Sequence, residues 1–239
     1  MNDLLAKVKK VFGFSKKKLD VPEHVALNID GIERWALETK KPVNQAYSDS
    51  FFNLYRIIRE QVNYEIKTLS IGITPPSKEN NGHFMKELAS FLTELERDEA
   101  IIKNHINVQV IGKWYQMSHE VVEPIKSVMS KTSKFDKFKL IICLNYDGRQ
   151  ELIDACKLIA RKVSVNHLDP QSISDDTIKQ NLYASNLPQV NLLIMNGKEN
   201  IRGSFLLWLS TDAIFYQTDK CWPEFSENDF LKAIVEYNQ

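Results

Sequence analysis

One short stretch places a carboxylate, a glycine and an arginine where they can face an anion. Asp30-Gly31-x-x-Arg34 follows the apolar run His24–Ile29, and a helix is expected to begin there. A helix N-terminus just after a strand offers backbone N–H groups and the positive end of its dipole. Arginine adds a charged fork, and a carboxylate can bridge to phosphate oxygens through magnesium. The residues alone leave two readings open. The corner binds a phosphate, or Asp30 merely caps the helix and Arg34 is a surface or paired side chain.

Other chemistry finds little support. His24, His83, His105, His119 and His167 are scattered, with no i,i+4 pair to hold a metal. His24 reads as structural. Cys143, Cys156 and Cys221 are odd in number, far apart and outside any C-x-x-C pair, which disfavours zinc and a disulfide framework. Ser204 lacks the G-x-S-x-G elbow of a hydrolase. Only 8 glycines are present, too few to make a glycine-rich nucleotide loop an obvious reading.

The elements that must position these residues alternate. Strands are expected over His24–Ile29, Thr68–Ile73, Ile106–Ile111, Leu140–Asn145, Val190–Met195 and Ala213–Tyr216. Helices are expected from Asp30-Gly31, over 50–63, 84–98, 119–131 and 150–164, after Ser174-Asp175-Asp176, and over 204–210 and 227–237. This is the pattern of an α/β domain with a central, mainly parallel six-stranded sheet flanked by helices. Ligands of such sheets bind beyond the carboxyl ends of the strands. Those ends carry Asp30-Gly31, Thr74-Pro75, Gly112-Lys113, Asn145-Tyr146 and Asn196-Gly197.

The 239 residues contain 31 Lys and Arg against 31 Asp and Glu, so the formal charge is zero. A generic nucleic-acid binder would carry a basic excess. The zero hides an asymmetry: residues 1–18 hold six lysines and Asp3, a net +5, so the remainder is −5. Residues 1–20 read as a basic amphipathic or flexible arm, with Leu4, Leu5, Val8 and Phe12 near one face, and 21–239 as the folded domain. No signal-peptide pattern or membrane-length apolar run is present. The expected location is cytoplasmic, with the arm able to touch the inner face of a membrane.

Five ordered motifs resemble the cis-prenyltransferases, the family of undecaprenyl diphosphate synthase. His24-Val-Ala-Leu-Asn-Ile-Asp-Gly-Ile-Glu-Arg-Trp-Ala36 resembles the family's H-V-A-x-x-M-D-G-N-G-R-W-A. Val110-Ile-Gly112, Leu144-Asn-Tyr-Asp-Gly-Arg149, Ser204-Phe-Leu-Leu-Trp208 and Cys221-Trp-Pro-Glu-Phe225 resemble V-I-G, L-N-Y-G-G-R, N-F-L-L-W and L-W-P-D-F. The resemblance covers about residues 22–237. It implies a six-stranded parallel sheet with a hydrophobic tunnel, and a homodimer or a heterodimer with another cis-prenyltransferase. It also implies Mg²⁺-dependent transfer between isopentenyl diphosphate and an allylic isoprenoid diphosphate. Asp30 becomes the catalytic and metal-binding carboxylate. Gly31, Arg34, Tyr47, Thr74, Lys198, Glu199 and Arg202 fall at or beside substrate-binding positions.

The departures from the family pattern gather in the chemistry. Ile32 and Glu33 replace an Asn and a Gly, Val43 an arginine, and Tyr47 a histidine. Glu33 satisfies the helix dipole itself and repels a diphosphate placed there. After the second strand, Thr74 and Lys78 only approximate the family's Ser and its E-N-W-x-R-P run. In the isopentenyl diphosphate motif, R-T-[SG]-G-E-x-R-x-S, the arginines are Met195 and Ile201 and the serine is Gly203, while Lys198 and Arg202 lie one residue away from the basic positions. Ile214 replaces a magnesium-binding glutamate, and the sequence ends at Asn238-Gln239 without the family's basic tail. Each lost charge-assisted hydrogen bond is worth roughly 1.5–3 kcal/mol. The expectation is therefore a diverged enzyme with an impaired isopentenyl diphosphate site, catalysing prenyl transfer, irregular coupling or cyclisation. Two alternatives stand beside it: a non-catalytic prenyl-lipid-binding homologue or partner subunit, and an ordinary polyprenyl diphosphate synthase in which shifted residues such as Lys78, Lys198 and Arg202 serve.

Overall fold

The computed structural model describes residues 20–76, 81–197 and 204–238. The expected arm at 1–18, together with Lys78, Lys198, Glu199, Ile201, Arg202 and Gly203, lies outside the described residues.

Six strands form one sheet: β1 (His24–Asn28), β2 (Thr68–Ile73), β3 (Ile106–Ile111), β4 (Phe138–Leu144), β5 (Leu192–Asn196) and β6 (Ile214–Thr218). Their order is β3-β4-β2-β1-β5-β6, and every pairing is parallel. β2 is buried along its whole length, which is why Thr68–Ile73 is a nearly continuous apolar run rather than an alternating one. From β1 the chain moves first to the β2 side of the sheet and later returns to the β5 side. The reversal lies between β1 and β5, and a sheet of this type binds its ligand at the carboxyl ends of such a pair.

Helix α1 (Ile32–Thr39) follows β1, and α2 (Val43–Asn63) is longer than the expected 50–63. Pro42 is its N-cap, and Ala46, Tyr47, Ser50, Phe51 and Leu54 make one buried face. The polar residues between them obscure the periodicity of the first two turns. The helix expected over 84–98 is two: α3 (Asn81–Leu95) and the short α4 (Glu99–Lys103). The break occurs because the Asp98 carboxylate caps a new helix, accepting from the N–H groups of Ala100 at 2.7 Å and Ile101 at 3.3 Å. The later helices are α5 (His119–Thr132), α6 (Gly148–Ser164), α7 (Asp175–Lys179) and α8 (Glu227–Glu236). β4, β5 and β6 lie one or two residues from their expected limits.

The expected helix over 204–210 is a series of turns. Leu206 sits in the left-handed region at φ 46°, which an L-residue cannot hold inside an α-helix. The segment docks on the start of α6 instead. Gly148 N–H donates to the Ser204 carbonyl at 3.1 Å, and the Ser204 hydroxyl donates to Asp147 at 2.6 Å. A Cβ on Gly148 would lie 2.1 Å from that carbonyl oxygen, so only glycine permits the approach.

The largest apolar cluster lies between the sheet and α2, α3, α5 and α8. A smaller one packs Phe205, Leu206 and Leu209 against Ala26, Ile141 and Cys143. Trp35 and Trp222 are buried and Trp208 is partly buried. Cys143 and Cys221 are buried, and Cys156 is exposed. No helix of the described residues is long and apolar enough to cross a membrane.

Candidate active site at the ends of β1 and β5

Asp30 lies two residues beyond β1, at the point where the strand order reverses. Its backbone is held from two sides. Asp30 N–H donates to the Asn196 side-chain carbonyl at 3.0 Å, and Trp222 N–H donates to the Asp30 carbonyl at 2.9 Å. The turn carrying Trp222 is itself tied to α2. Asn53 Nδ2 donates to the carbonyls of Trp222 at 3.1 Å and Phe225 at 2.7 Å, and Trp222 Nε1–H donates to the Ser50 carbonyl at 3.0 Å. The Cys221–Phe225 motif thus fixes the peptide from which the carboxylate projects.

The Asp30 side chain is about half exposed and forms a 3.7 Å ion pair with Arg34 Nη2, one turn into α1. It does not cap the helix. Gly31 takes that position at φ 81°. A Cβ there would meet Arg34 Nη2 and Cys221 Sγ, each at 2.8 Å. The end of β5 closes on the same pair: a Cβ on Gly197 would lie 2.8 Å from Asp30 Oδ2 and 2.9 Å from Arg34 Nη2. Glycine is therefore required at both positions beside the carboxylate–guanidinium pair.

These groups open on a cleft of about 340 Å³ whose lining includes Ile29, Asp30, Gly31, Glu33, Arg34, Tyr47, Thr74, Pro75 and Phe84. Of the residues selected from sequence, Asp30, Gly31, Arg34, Tyr47 and Thr74 come together in it. Lys198, Glu199 and Arg202 lie outside the described residues. Thr74 is exposed just beyond β2. Glu33 sits in the first turn of α1, and the Tyr47 hydroxyl donates to its carboxylate at 3.0 Å. Burial, and secondarily this bond to Glu33, raise the Tyr47 pKa, so the phenol keeps its proton. The pair forms part of the wall and leaves the cleft open.

Phe84, from α3, was not singled out by sequence reasoning. It packs edge-on against Tyr47 with ring centroids 5.4 Å apart, and both rings are buried. Phe51 stands behind Phe84 at 5.7 Å and Phe91 behind Phe51 at 5.2 Å. An aromatic file therefore underlies the cleft. Asn196 and Gly197 are among the strand ends expected beside a ligand, but no spacing rule in the sequence links them to Asp30.

Among the described residues no three His, Cys, Asp or Glu side chains gather as a metal site. A magnesium ion would therefore take Asp30 alone or with one further carboxylate. That still suits the ion, which is commonly held by one or two carboxylates and completed by substrate phosphates. At two of the positions where the family resemblance implies lost substrate or metal ligands, Met195 is buried near the end of β5 and Ile214 is exposed on β6.

The fold and site define a parallel α/β protein with a carboxylate–arginine corner on a cleft partly lined by aromatic rings. The family model for undecaprenyl diphosphate synthases matches residues 29–239. An isoprenyl transferase of Oceanobacillus iheyensis is 29% identical over 226 residues, covering 92% of this chain and 88% of that protein. The farnesyl-diphosphate-specific undecaprenyl-diphosphate synthase of Haemophilus influenzae is 30% identical over 227 residues, covering 92% and 93%. The solved structure of lavandulyl diphosphate synthase from Lavandula x intermedia, in complex with dimethylallyl diphosphate, superposes with a TM-score of 0.86. It is 27% identical and covers 91% of this chain and 95% of that one. The chain belongs to the undecaprenyl diphosphate synthase, or cis-prenyltransferase, family.

Proposed function

We propose that this protein is a magnesium-dependent prenyltransferase acting on a short allylic isoprenoid diphosphate, with a weakened site for isopentenyl diphosphate. The observation that carries the reading is the Asp30–Arg34 pair at the β1/β5 reversal, opening on a cleft also lined by Tyr47 and Phe84. A diphosphate at the mouth meets the Arg34 guanidinium and the N-terminal turn of α1. The Thr74 hydroxyl, in the same lining, is a further hydrogen-bond donor. Asp30 and the diphosphate oxygens together would hold the magnesium ion, which neutralises charge on the departing diphosphate. The prenyl tail lies against Tyr47 and Phe84. A cleft of this volume and the rings behind it favour a short product over a long polyprenyl chain.

The weakened second site rests on Met195 and Ile201, which stand where the family has arginines. The solved relative named for lavandulyl diphosphate, bound to dimethylallyl diphosphate, favours a short or irregular coupling. A second reading is ordinary chain elongation, favoured by relatives named undecaprenyl-diphosphate synthase. Purified protein with Mg²⁺ and labelled allylic diphosphates, with and without isopentenyl diphosphate, separates them. Products without isopentenyl diphosphate support the first reading, and long products formed only with both substrates support the second. An absence of any product sensitive to Asp30→Ala would overturn both and leave a prenyl-lipid-binding or partner role.

A further inference from the structure

The opposite end of the sheet carries a second depression, of about 420 Å³. Lys67 stands at the entrance to β2, and Lys137 and Lys139 at the entrance to β4, which pairs with it. Lys179 closes the rim from the end of α7, and residues 185–188 supply the far side. The ammonium groups of Lys67 and Lys137 lie 5.1 and 5.4 Å from the centre of the buried Phe138 ring, so one aromatic face-and-edge system gathers two cations. Glu23 and Asp136 also line the depression. Among the described residues none of the four lysines forms an ion pair, although other lysines such as Lys113, Lys131 and Lys220 do.

Four lysines against Glu23 and Asp136 leave this concavity net positive on a body of net charge −5, a local field that favours an anion. Lysine meets phosphate as a compact point charge with freely rotating donors. The two acids at the rim and the limited volume suit a discrete phosphate head rather than a long polyanion. The first described residue, Asp20, lies three residues before Glu23 of this lining, and the sequence before it, residues 1–18, carries a net +5. β1 and the residues leading to Asp30 span roughly 20 Å at about 3.3 Å per residue, which places this face away from the diphosphate cleft.

We propose that the Lys67–Lys137–Lys139–Lys179 depression binds the phosphate headgroup of an anionic lipid and seats this end of the protein on a membrane surface. The diphosphate cleft then stays open at the other end. The proposal is independent of whether the cleft is catalytic.

The test is co-sedimentation of the full chain with phosphatidylglycerol/phosphatidylcholine vesicles and with phosphatidylcholine vesicles alone. The Lys67→Ala/Lys137→Ala/Lys139→Ala variant is compared with Lys86→Ala/Lys157→Ala/Lys232→Ala, which removes equal charge elsewhere. Each lysine near an anionic surface contributes enough that three should change affinity at least tenfold. The expected result is a loss of that size for the first variant on anionic vesicles only, with the control close to wild type. Equal losses in both variants would reduce the effect to bulk charge, and unchanged binding would assign it to the terminal segment; either overturns the proposal. Saturable binding of inorganic phosphate that needs these lysines, without vesicle binding, would overturn the lipid source. Matched circular dichroism of the variants separates lost binding from lost fold.

Discussion

The Tyr47 hydroxyl donates to the Glu33 carboxylate at 3.0 Å, bridging two helices on the wall of the cleft that Asp30 overlooks. The bond holds a negative charge within the first turn of α1, where the helix dipole favours it. The same charge opposes a diphosphate at that helix end. Glu33→Gln should therefore lower the KM for an allylic diphosphate several-fold at low salt, with the advantage shrinking as salt is added. Tyr47→Phe removes this bond from the Glu33 carboxylate and should raise that KM. Steady-state kinetics at two ionic strengths checks both directions.

The Asp30–Arg34 pair gives a second prediction. Asp30 is half exposed and makes no capping bond, so its removal costs the fold little. Asp30→Ala should reduce Mg²⁺-dependent product formation by at least about a hundredfold, the scale of losing one main electrostatic contributor. Its melting temperature should stay close to wild type. Arg34→Ala removes charge-assisted hydrogen bonds worth roughly 1.5–3 kcal/mol, so the allylic KM should rise about 10- to 150-fold. A turnover unaffected by Asp30→Ala would break the assignment of this corner as the reacting site.

Glycine at position 197 bears on the same pair. Its φ of 105° disfavours any L-residue, and an added Cβ would press on Asp30 and Arg34 together. Gly197→Ala should lower activity more than it lowers stability, measured as kcat against denaturant midpoint. Equal proportional losses would mean that the glycine serves the turn alone.

β1, β2 and β3 were legible because they are buried along most of their length and so read as short apolar runs. The Asp30-Gly31-x-x-Arg34 corner was legible because one strand end and one helical turn bring it together locally. What escaped depends on contacts distant in the chain. Glu33 and Tyr47 are 14 residues apart on separate helices, and no spacing rule joins them. Phe84 has the pattern of an ordinary core residue, and only the packing of α3 on α2 sets it against Tyr47. The turns at 204–210 have helical composition, and the left-handed Leu206 is imposed by docking on Gly148 and Asp147. The start of α2 was hidden because its first turns alternate polar residues with a buried face that appears only once the sheet is in place.

Phe84 closes the cleft over an aromatic file, and product length should follow its size. Phe84→Ala would cost about 3–5 kcal/mol by leaving a cavity, enough to confuse folding with catalysis. Phe84→Leu retains more of the packing and opens less space. Its products from an allylic diphosphate and isopentenyl diphosphate should be longer than those of wild type by about one isoprene unit, since the pocket bounds the bound chain. Mass spectrometry of extracted products reads the shift. Unchanged length in a folded Phe84→Leu protein would remove the ring from any role in length control.

His24 supplies a pH dependence separate from the cleft. It is fully buried at the start of β1, with Nε2 2.8 Å from the Ser70 hydroxyl and Nδ1 2.9 Å from the Pro188 carbonyl. The carbonyl can only accept, so Nδ1 carries the proton and Nε2 accepts from Ser70 in the neutral ring. Burial lowers the pKa from 6.5 to about 4, against the opposing bond to Pro188. The unfolded chain takes up its proton near 6.5 and the folded chain only near 4, so the unfolded state binds more protons between those values. Stability should be independent of this group above pH 7 and fall as pH drops below 6.5. The loss reaches roughly 2–3 kcal/mol by pH 4.5. Glu151, whose pKa is raised by burial, works in the opposite direction over the lower part of this range. The comparison that isolates His24 is therefore urea unfolding of wild type against His24→Gln, which keeps a polar group but cannot titrate. The variant should be less stable at pH 7.5 and lose less on acidification. Parallel pH profiles for the two proteins would show that His24 remains unprotonated in both states or protonates equally in each.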